Sequence, residues 1–182
     1  MTGTSDVILR IPNESDRPAF TAGVRASVQL HDPWLDPGDP DAWFDRLLAR
    51  NDTETDRSML VCADDGGPAG VYNLSQIFYG PFRNAYLGYY ALMPYAGRGL
   101  MRAGMTLLLD HAFAQMGLHR VQANIQPENA ASIALVRGSG FRREGLALRY
   151  LMIQGTWRDH EQWAITVEDR GPAADRDGSV PN

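Results

Sequence analysis

The sequence predicts an α/β fold, with a mixed, largely antiparallel seven-stranded sheet and helices on both faces. Three observations carry this prediction. Strand-like runs at residues 58–63, 69–78 and 85–92 are separated only by the turn-forming stretches Asp64-Asp65-Gly66-Gly67-Pro68 and Tyr79-Gly80-Pro81-Phe82-Arg83-Asn84, the pattern of an antiparallel meander. Residues 100–116 are apolar or small at most positions, with the polar Arg102, Thr106 and Asp110 recurring every four, so a largely buried helix follows the meander. The chain then closes on two strand-like runs, 143–153 and 157–167, joined by Gln154-Gly155-Thr156.

The remaining elements follow in order. Val7-Ile8-Leu9-Arg10-Ile11 is a short strand stopped by Pro12, and Asn13-Glu14-Ser15-Asp16 offers caps to a helix over residues 17–28. Residues 31–40 contain Pro33, Pro37 and Pro40 and must be irregular. Trp34 sits in that loop, and Asp39 or Asp41 can cap the next helix, 41–50. After the buried helix, residues 119–125 read as a strand and 129–136 as a short helix closed by Gly138-Ser139-Gly140. The strand, helix, strand unit spanning 85–125 is expected to be a right-handed crossover. From Arg170 the sequence loses apolar periodicity, so residues 1–169 are expected to form a single domain and 170–182 a disordered tail.

Composition excludes several functions. Uninterrupted apolar runs fall short of the roughly 18 to 20 residues that span a bilayer, so no membrane partner is expected. The polar first residues lack the basic-then-apolar pattern of a secretory signal, which predicts a cytoplasmic protein. A net charge of −5 argues against nucleic acid as a partner. Cys62 is the only cysteine and lies in an apolar run, so it reads as a core thiol, without a disulfide or thiolate metal cluster. His31, His111, His119 and His160 show no ligand spacing, and no metal site is expected. Locally the charge reverses: Arg98, Arg102 and Arg120 face only Asp110 among the Asp, Glu and Arg residues of 94–120, an island suited to an anionic ligand.

The informative segment runs from Tyr86 to Met101: strand, proline, glycine-spaced turn, helix start. Gly97 and Gly99 free the backbone to turn its N–H groups toward one point at a helix N-terminus, where the helix dipole favours phosphate; Arg98 and Arg102 add full charges. Two close glycines also occur in plain tight turns, so the pair alone leaves both readings open. A dinucleotide-binding turn would need a third glycine where Arg102 stands, and a Walker lysine cannot exist in a chain without lysine.

With these residues the chain resembles the GNAT N-acetyltransferases, whose pyrophosphate signature Gln/Arg-x-x-Gly-x-Gly/Ala is similar to Ala96-Gly97-Arg98-Gly99-Leu100-Met101. Ala96 replaces the usual Gln or Arg, and Met101 the final small residue. Asn129-x-x-Ser132, Gly140-Phe141, Glu144-Gly145 and the block from Arg149 to His160 also match, most closely the RimJ/RimL-type branch of ribosomal-protein N-terminal acetyltransferases.

The resemblance implies acetyl-CoA as cofactor and a splay between the two central strands that admits the pantetheine arm. It places Leu92, Met93, Gly97, Arg98, Gly99, Leu100, Met101, Arg102, Asn129 and Ser132 at the cofactor, with backbone N–H groups of the strand ending at Met93 facing the thioester oxygen. Asn129 reads from the residues alone as a helix N-cap, to which the family adds a contact to a pantetheine amide. Ser132 and Tyr150 are the two candidates for protonating the departing thiolate. No family base transfers: the RimI-type position holds Asn124 and the RimL-type position Leu151, while Glu144 reads as structural. Trp34, Asn73 and Ser75 are the candidate acceptor-side residues. The implied reaction is direct attack by a primary amine in a ternary complex. The expected amine is the N-terminal α-amine of a protein such as a ribosomal protein, because a site without a strong base suits an amine that is partly neutral at pH 7; the alternative is a small molecule such as an antibiotic or polyamine, which Asp32, Asp36, Asp39 and Asp41 would favour. The missing base and Ala96 also leave open a non-catalytic acyl-CoA-binding module. The expected assembly is a monomer or homodimer.

Overall fold

The computed structural model describes residues 7–36 and 38–170. The first six residues and the tail expected beyond Arg170 lie outside them; Arg170 itself closes a short turn and pairs with Asp110 at 2.7 Å. Strands β1 (Ile8–Arg10), β2 (Arg57–Cys62), β3 (Pro68–Phe78), β4 (Asn84–Ala91), β5 (Arg120–Ile125), β6 (Arg142–Ile153) and β7 (Thr156–Thr166) form a seven-stranded sheet in the order β1-β2-β3-β4-β5-β7-β6. Neighbours are antiparallel except β4 and β5, which run parallel, as the helical crossover requires.

Five α-helices cover the sheet among the described residues: α1 (Arg17–Ala26), α2 (Val28–His31), α3 (Pro40–Arg50), α4 (Leu100–Asp110) and α5 (Ala130–Gly138). One core lies between α4, α5 and a sheet face bearing Tyr72, Leu74, Ala85, Leu87, Val121 and Ala123. The other packs Phe20, Val24, Phe44 and Leu47 of α1 and α3 on Leu60, Val71 and Tyr90. Strand β2 touches both cores, which is why Met59 to Cys62 reads as an apolar run without alternation. A Cβ on Gly104 would lie 2.9 Å from Val61, so glycine lets α4 approach the sheet closely.

Local chemistry sets the helix ends. Asn13 and Asp16 form a capping box, and Arg10 holds the Asp16 carboxylate. Asp39 accepts from the Ala42 N–H to cap α3, with Pro40 in its first turn. Two helices depart from the sequence pattern. The helix expected over 17–28 breaks at Ser27, whose hydroxyl donates to the Gly23 carbonyl at 2.7 Å, competing with the backbone ladder. The helix expected over 100–116 is α-helical only to Asp110 and finishes as a π-helical turn, His111–Gln115, before Gly117. Strand β6 carries irregularities between Arg143 and Gly145 and between Ala147 and Leu151, which the sequence does not announce.

No described helix is long and apolar enough to cross a membrane.

Candidate active site

The parallel pairing of β4 with β5 covers only Asn84 to Tyr86 against Arg120 to Gln122. Beyond it the strands separate, leaving the second half of β4 without a strand partner on that edge. The direction of each β4 amide follows from the antiparallel ladder, in which N–H and C=O groups alternate between the two edges. The Leu92 N–H donates to the Ala69 carbonyl at 2.8 Å, toward β3. Leu87, Tyr89 and Ala91 therefore turn their backbone groups into the splay. Of the expected cofactor residues at the strand end, Leu92 thus has its N–H turned away from the splay. The Met93 N–H is also engaged, donating to the Ser27 hydroxyl at 2.8 Å. The N–H groups left facing the splay are those of Tyr89 and Ala91, while those of Leu92 and Met93 anchor the strand end.

After β4 the chain turns through Gly97 (φ +79°) and Gly99 (φ +82°) into α4. Both backbones are left-handed, which favours glycine, and a Cβ at either position would meet open space. Gly99 is the N-cap of α4 and supplies no side chain, so the first-turn N–H groups of Leu100, Met101 and Arg102 lack a side-chain cap. Their partial positive charge faces an open hollow. Arg98 lies over the Tyr95 ring at 5.4 Å, and Arg102 packs on Gly138 of α5, where a Cβ would collide with its guanidinium. Arg120, counted in the same positive island from sequence, is elsewhere: it is bound to Glu144 at 2.5 Å, at the end of β5 that pairs with β4.

A cavity of about 580 Å³ connects these features. Gly97, Gly99, Met101, Arg102, Asn129 and Ser132 line it, as does Trp34 from the irregular loop. Leu92, Met93, Arg98, Leu100, Asn73, Ser75 and Tyr150 stand outside this lining among the described residues. Asn129 caps α5, its side-chain oxygen accepting from the Ser132 N–H at 3.0 Å. The Ser132 carbonyl accepts from the Tyr89 hydroxyl at 3.2 Å, which ties α5 to the splayed strand. Burial pushes the Tyr89 hydroxyl up to about 12, so it stays protonated as a donor.

Tyr150 lies on the opposite sheet face from α5. Its hydroxyl accepts from Asn124 at 3.1 Å, Asn124 in turn accepts from Gln122, and its ring packs on His160 at 5.5 Å between centroids. Burial and the neighbouring Tyr86 raise its pKa. The two acid candidates are thus divided between faces, Ser132 at the cavity wall and Tyr150 on the opposite sheet face. Asn73 and Ser75 share that face: Asn73 accepts from the Ser58 hydroxyl at 2.6 Å, and Ser75 contacts the Tyr86 carbonyl at 3.5 Å. Glu144 is held below the usual carboxylate range by Arg120 and is gripped by Arg142 as well, in keeping with a structural role.

Two cavity residues escape sequence reasoning. Tyr89 looks like one of several strand aromatics, and its role appears only once α5 is placed. His31 looks like a loop histidine, yet it is 3% exposed at the end of α2 and its Nε2 lies 2.9 Å from the Ala91 carbonyl. Desolvation lowers its pKa, with the Ala91 carbonyl opposing, so the ring is neutral at pH 7.

The hollow at Gly97 and Gly99, the uncapped helix start and Arg102 fit a pyrophosphate. The unpaired edge of β4 fits an amide-bearing chain lying where a strand would pair. When bound, acetyl-CoA supplies an activated acetyl group as a thioester. The residues that would hold it are Gly97 to Arg102 at the phosphates, Tyr89 and Ala91 along the arm, and Asn129 and Ser132 on the facing wall.

Comparison with known proteins places the chain in a family. The model of the acetyltransferase (GNAT) domain matches residues 6–142. Probable N-acetyltransferase YjcK of Bacillus subtilis is 35% identical over 110 residues, 60% of this chain and 61% of YjcK. The ribosomal protein uS5-alanine N-acetyltransferase of Escherichia coli K12 is 30% identical over 178 residues, 93% of this chain and 92% of that enzyme. Mycobacterium smegmatis RimJ, solved in complex with CoA-disulfide, superposes with a TM-score of 0.82 at 29% identity, covering 92% of this chain and 85% of that one. The matched stretch carries both the phosphate hollow and the parting of β4 from β5, and on that ground the chain belongs to the GNAT acetyltransferase family, as an N-acetyltransferase that uses acetyl-CoA.

Proposed function

We propose that the acceptor is the N-terminal α-amine of a protein, of the kind a ribosomal protein presents, acetylated in the cytoplasm by a single catalytic domain spanning residues 1–169. The observation that carries this reading is the chemistry of the acceptor-side face. Gln122, Asn124 and Tyr150 form a neutral hydrogen-bonded ladder there, and Glu144 is already bound by Arg120 and Arg142. A site of this kind offers little to strip a proton from a strongly basic amine. At pH 7 an α-amine with a pKa near ~7.8 is about 14% neutral, whereas a lysine amine near ~10.4 is about 0.04% neutral. The likeness over nearly the whole chain to an enzyme acting on a ribosomal-protein alanine supports the same class of acceptor.

The acidic loop that would favour a cationic small molecule is largely occupied. Asp36 accepts from the Gly38 N–H, Asp39 caps α3, and Asp41 pairs with Arg25 at 3.3 Å. In the transfer, the neutral amine attacks the acyl carbon, a C–N bond forms and the C–S bond breaks. The amine proton leaves through the polar ladder and water, while Ser132 or Tyr150 returns one to the thiolate. The N–H groups of Tyr89 and Ala91 supply fixed donors for charge gathering on the acyl oxygen.

A panel of acceptors tests the proposal. CoA release should be steady with peptides starting in alanine or serine, and close to background with spermidine and aminoglycosides. Turnover of the small amines with idle peptides would overturn it.

A further inference from the structure

The end of β4 is held from one side by a single corner of the chain. Ser27, fully buried where α1 meets α2, accepts a hydrogen bond from the Met93 N–H and donates one from its hydroxyl to the Gly23 carbonyl. Four residues on, His31 reaches the Ala91 carbonyl. The segment then continues to Trp34, whose carbonyl accepts from Gln126 at 3.2 Å, just past the end of β5. The stretch from Ser27 to Trp34 therefore crosses the open end of the splay, tied to β4 by two side chains and beyond β5 by one. Leu30, His31, Trp34 and Leu35 form the adjoining wall of the cavity.

His31 is the least replaceable part of this strap on chemical grounds. A carbonyl can only accept, so Nε2 must carry the proton, and a neutral ring then leaves Nδ1 as a bare lone pair. Nδ1 is buried without a hydrogen-bond partner, and the ring meets Trp43 and Tyr90 in near-perpendicular contacts. That burial carries a desolvation cost that a leucine in the same space would not. What the histidine gains is the Nε2–H, aimed at the splay-facing carbonyl of the same peptide whose N–H, that of Leu92, is anchored to Ala69, so that this peptide is held from both sides.

We propose that His31 is a positioning residue for acetyl transfer: by donating Nε2–H to the Ala91 carbonyl, it locks the end of β4 so that the Tyr89 and Ala91 N–H groups stay aimed into the splay at the acyl oxygen. Without that bond the Ala91–Leu92 peptide is held from the β3 side alone, through the Leu92 N–H on the Ala69 carbonyl, and the end of β4 that carries the donors for the developing charge is less firmly preorganised. The phosphate hollow at Gly97 and Gly99 is built by other residues, so cofactor capture does not depend on His31. The proposal rests on acetyl transfer occurring in the splay, and not on which amine accepts.

The test compares His31→Leu, which fills the space without a donor, with His31→Gln, which restores one, using an alanine-starting peptide as acceptor. His31→Leu should lower kcat about tenfold or more while KM for acetyl-CoA stays within about twofold, and His31→Gln should recover most of the loss. Unchanged kcat in His31→Leu, or an equal loss in both variants, overturns the proposal. The imidazole nitrogens of the wild-type protein, read by ¹⁵N NMR without cofactor, decide it independently of variant folding and of acceptor choice. A neutral ring protonated on Nε2 is expected at pH 7, and a ring protonated on Nδ1 contradicts it. If the wild type fails to acetylate the peptide, the acceptor assignment falls, while the tautomer still tests the Nε2–H donation on which the role of His31 depends.

Discussion

Gly99→Asp is expected to weaken acetyl-CoA binding at least about 100-fold, equivalent to roughly 2.7 kcal/mol, and to abolish turnover at ordinary cofactor concentrations. Two effects combine. Gly99 sits at φ +82°, where a side chain costs about 1–2 kcal/mol, and the new carboxylate would point into the hollow that takes the pyrophosphate. Gly99→Asn separates the two, because asparagine tolerates the left-handed backbone and carries no charge. Its loss should be several-fold smaller. The measurement is the cofactor-induced rise in Tm, which reports binding to the folded state. An undiminished rise in Gly99→Asp would count against the hollow as the phosphate site.

That hollow was legible in the sequence because its determinants are local. Gly97, Gly99 and the start of α4 are contiguous, and the conformation each glycine must adopt follows from its neighbours. Asn129 and Ser132 were legible for the same reason, as cap and first turn of one short helix. Which β4 amides turn into the splay was not legible, because their direction depends on register with β3, and a shift of one residue in a strand reverses every N–H. His31 was invisible because its partner, the Ala91 carbonyl, is 60 residues away in sequence and exposes no side-chain signature. Arg120 shows the converse error: it adds to a local charge count in sequence, but β5 carries it to Glu144. The meander and the mixed sheet followed from turn chemistry and apolar patterning, whereas the breaks at Ser27 and Asp110 depend on single hydrogen bonds and on how a helix end meets the sheet.

A peptide carrying both a free alanine N-terminus and an internal lysine should be acetylated almost wholly on the α-nitrogen at pH 7. If the enzyme supplies no strong base, the neutral fractions alone favour the α-amine about 350-fold, near 3.5 kcal/mol. The preference should shrink as pH rises, because the lysine gains neutral amine over a range where the α-amine is already deprotonated. Tandem mass spectrometry locates the acetyl group on one nitrogen or the other. Comparable labelling of both at pH 7 would require a base that the ladder of Gln122, Asn124 and Tyr150 does not contain, and would contradict the acceptor assignment.

The central claim is that the parting of β4 from β5, floored by the hollow at Gly97 and Gly99, is where acetyl-CoA sits. Amide hydrogen exchange with and without saturating CoA tests it most directly. Exchange should slow at the Tyr89 and Ala91 amides and across Gly97 to Arg102, while the opposite end of β4, already paired to β5 at Ala85, changes little. Slowed exchange confined to other segments, with Tyr89, Ala91 and Gly97 to Arg102 unaffected, would contradict it.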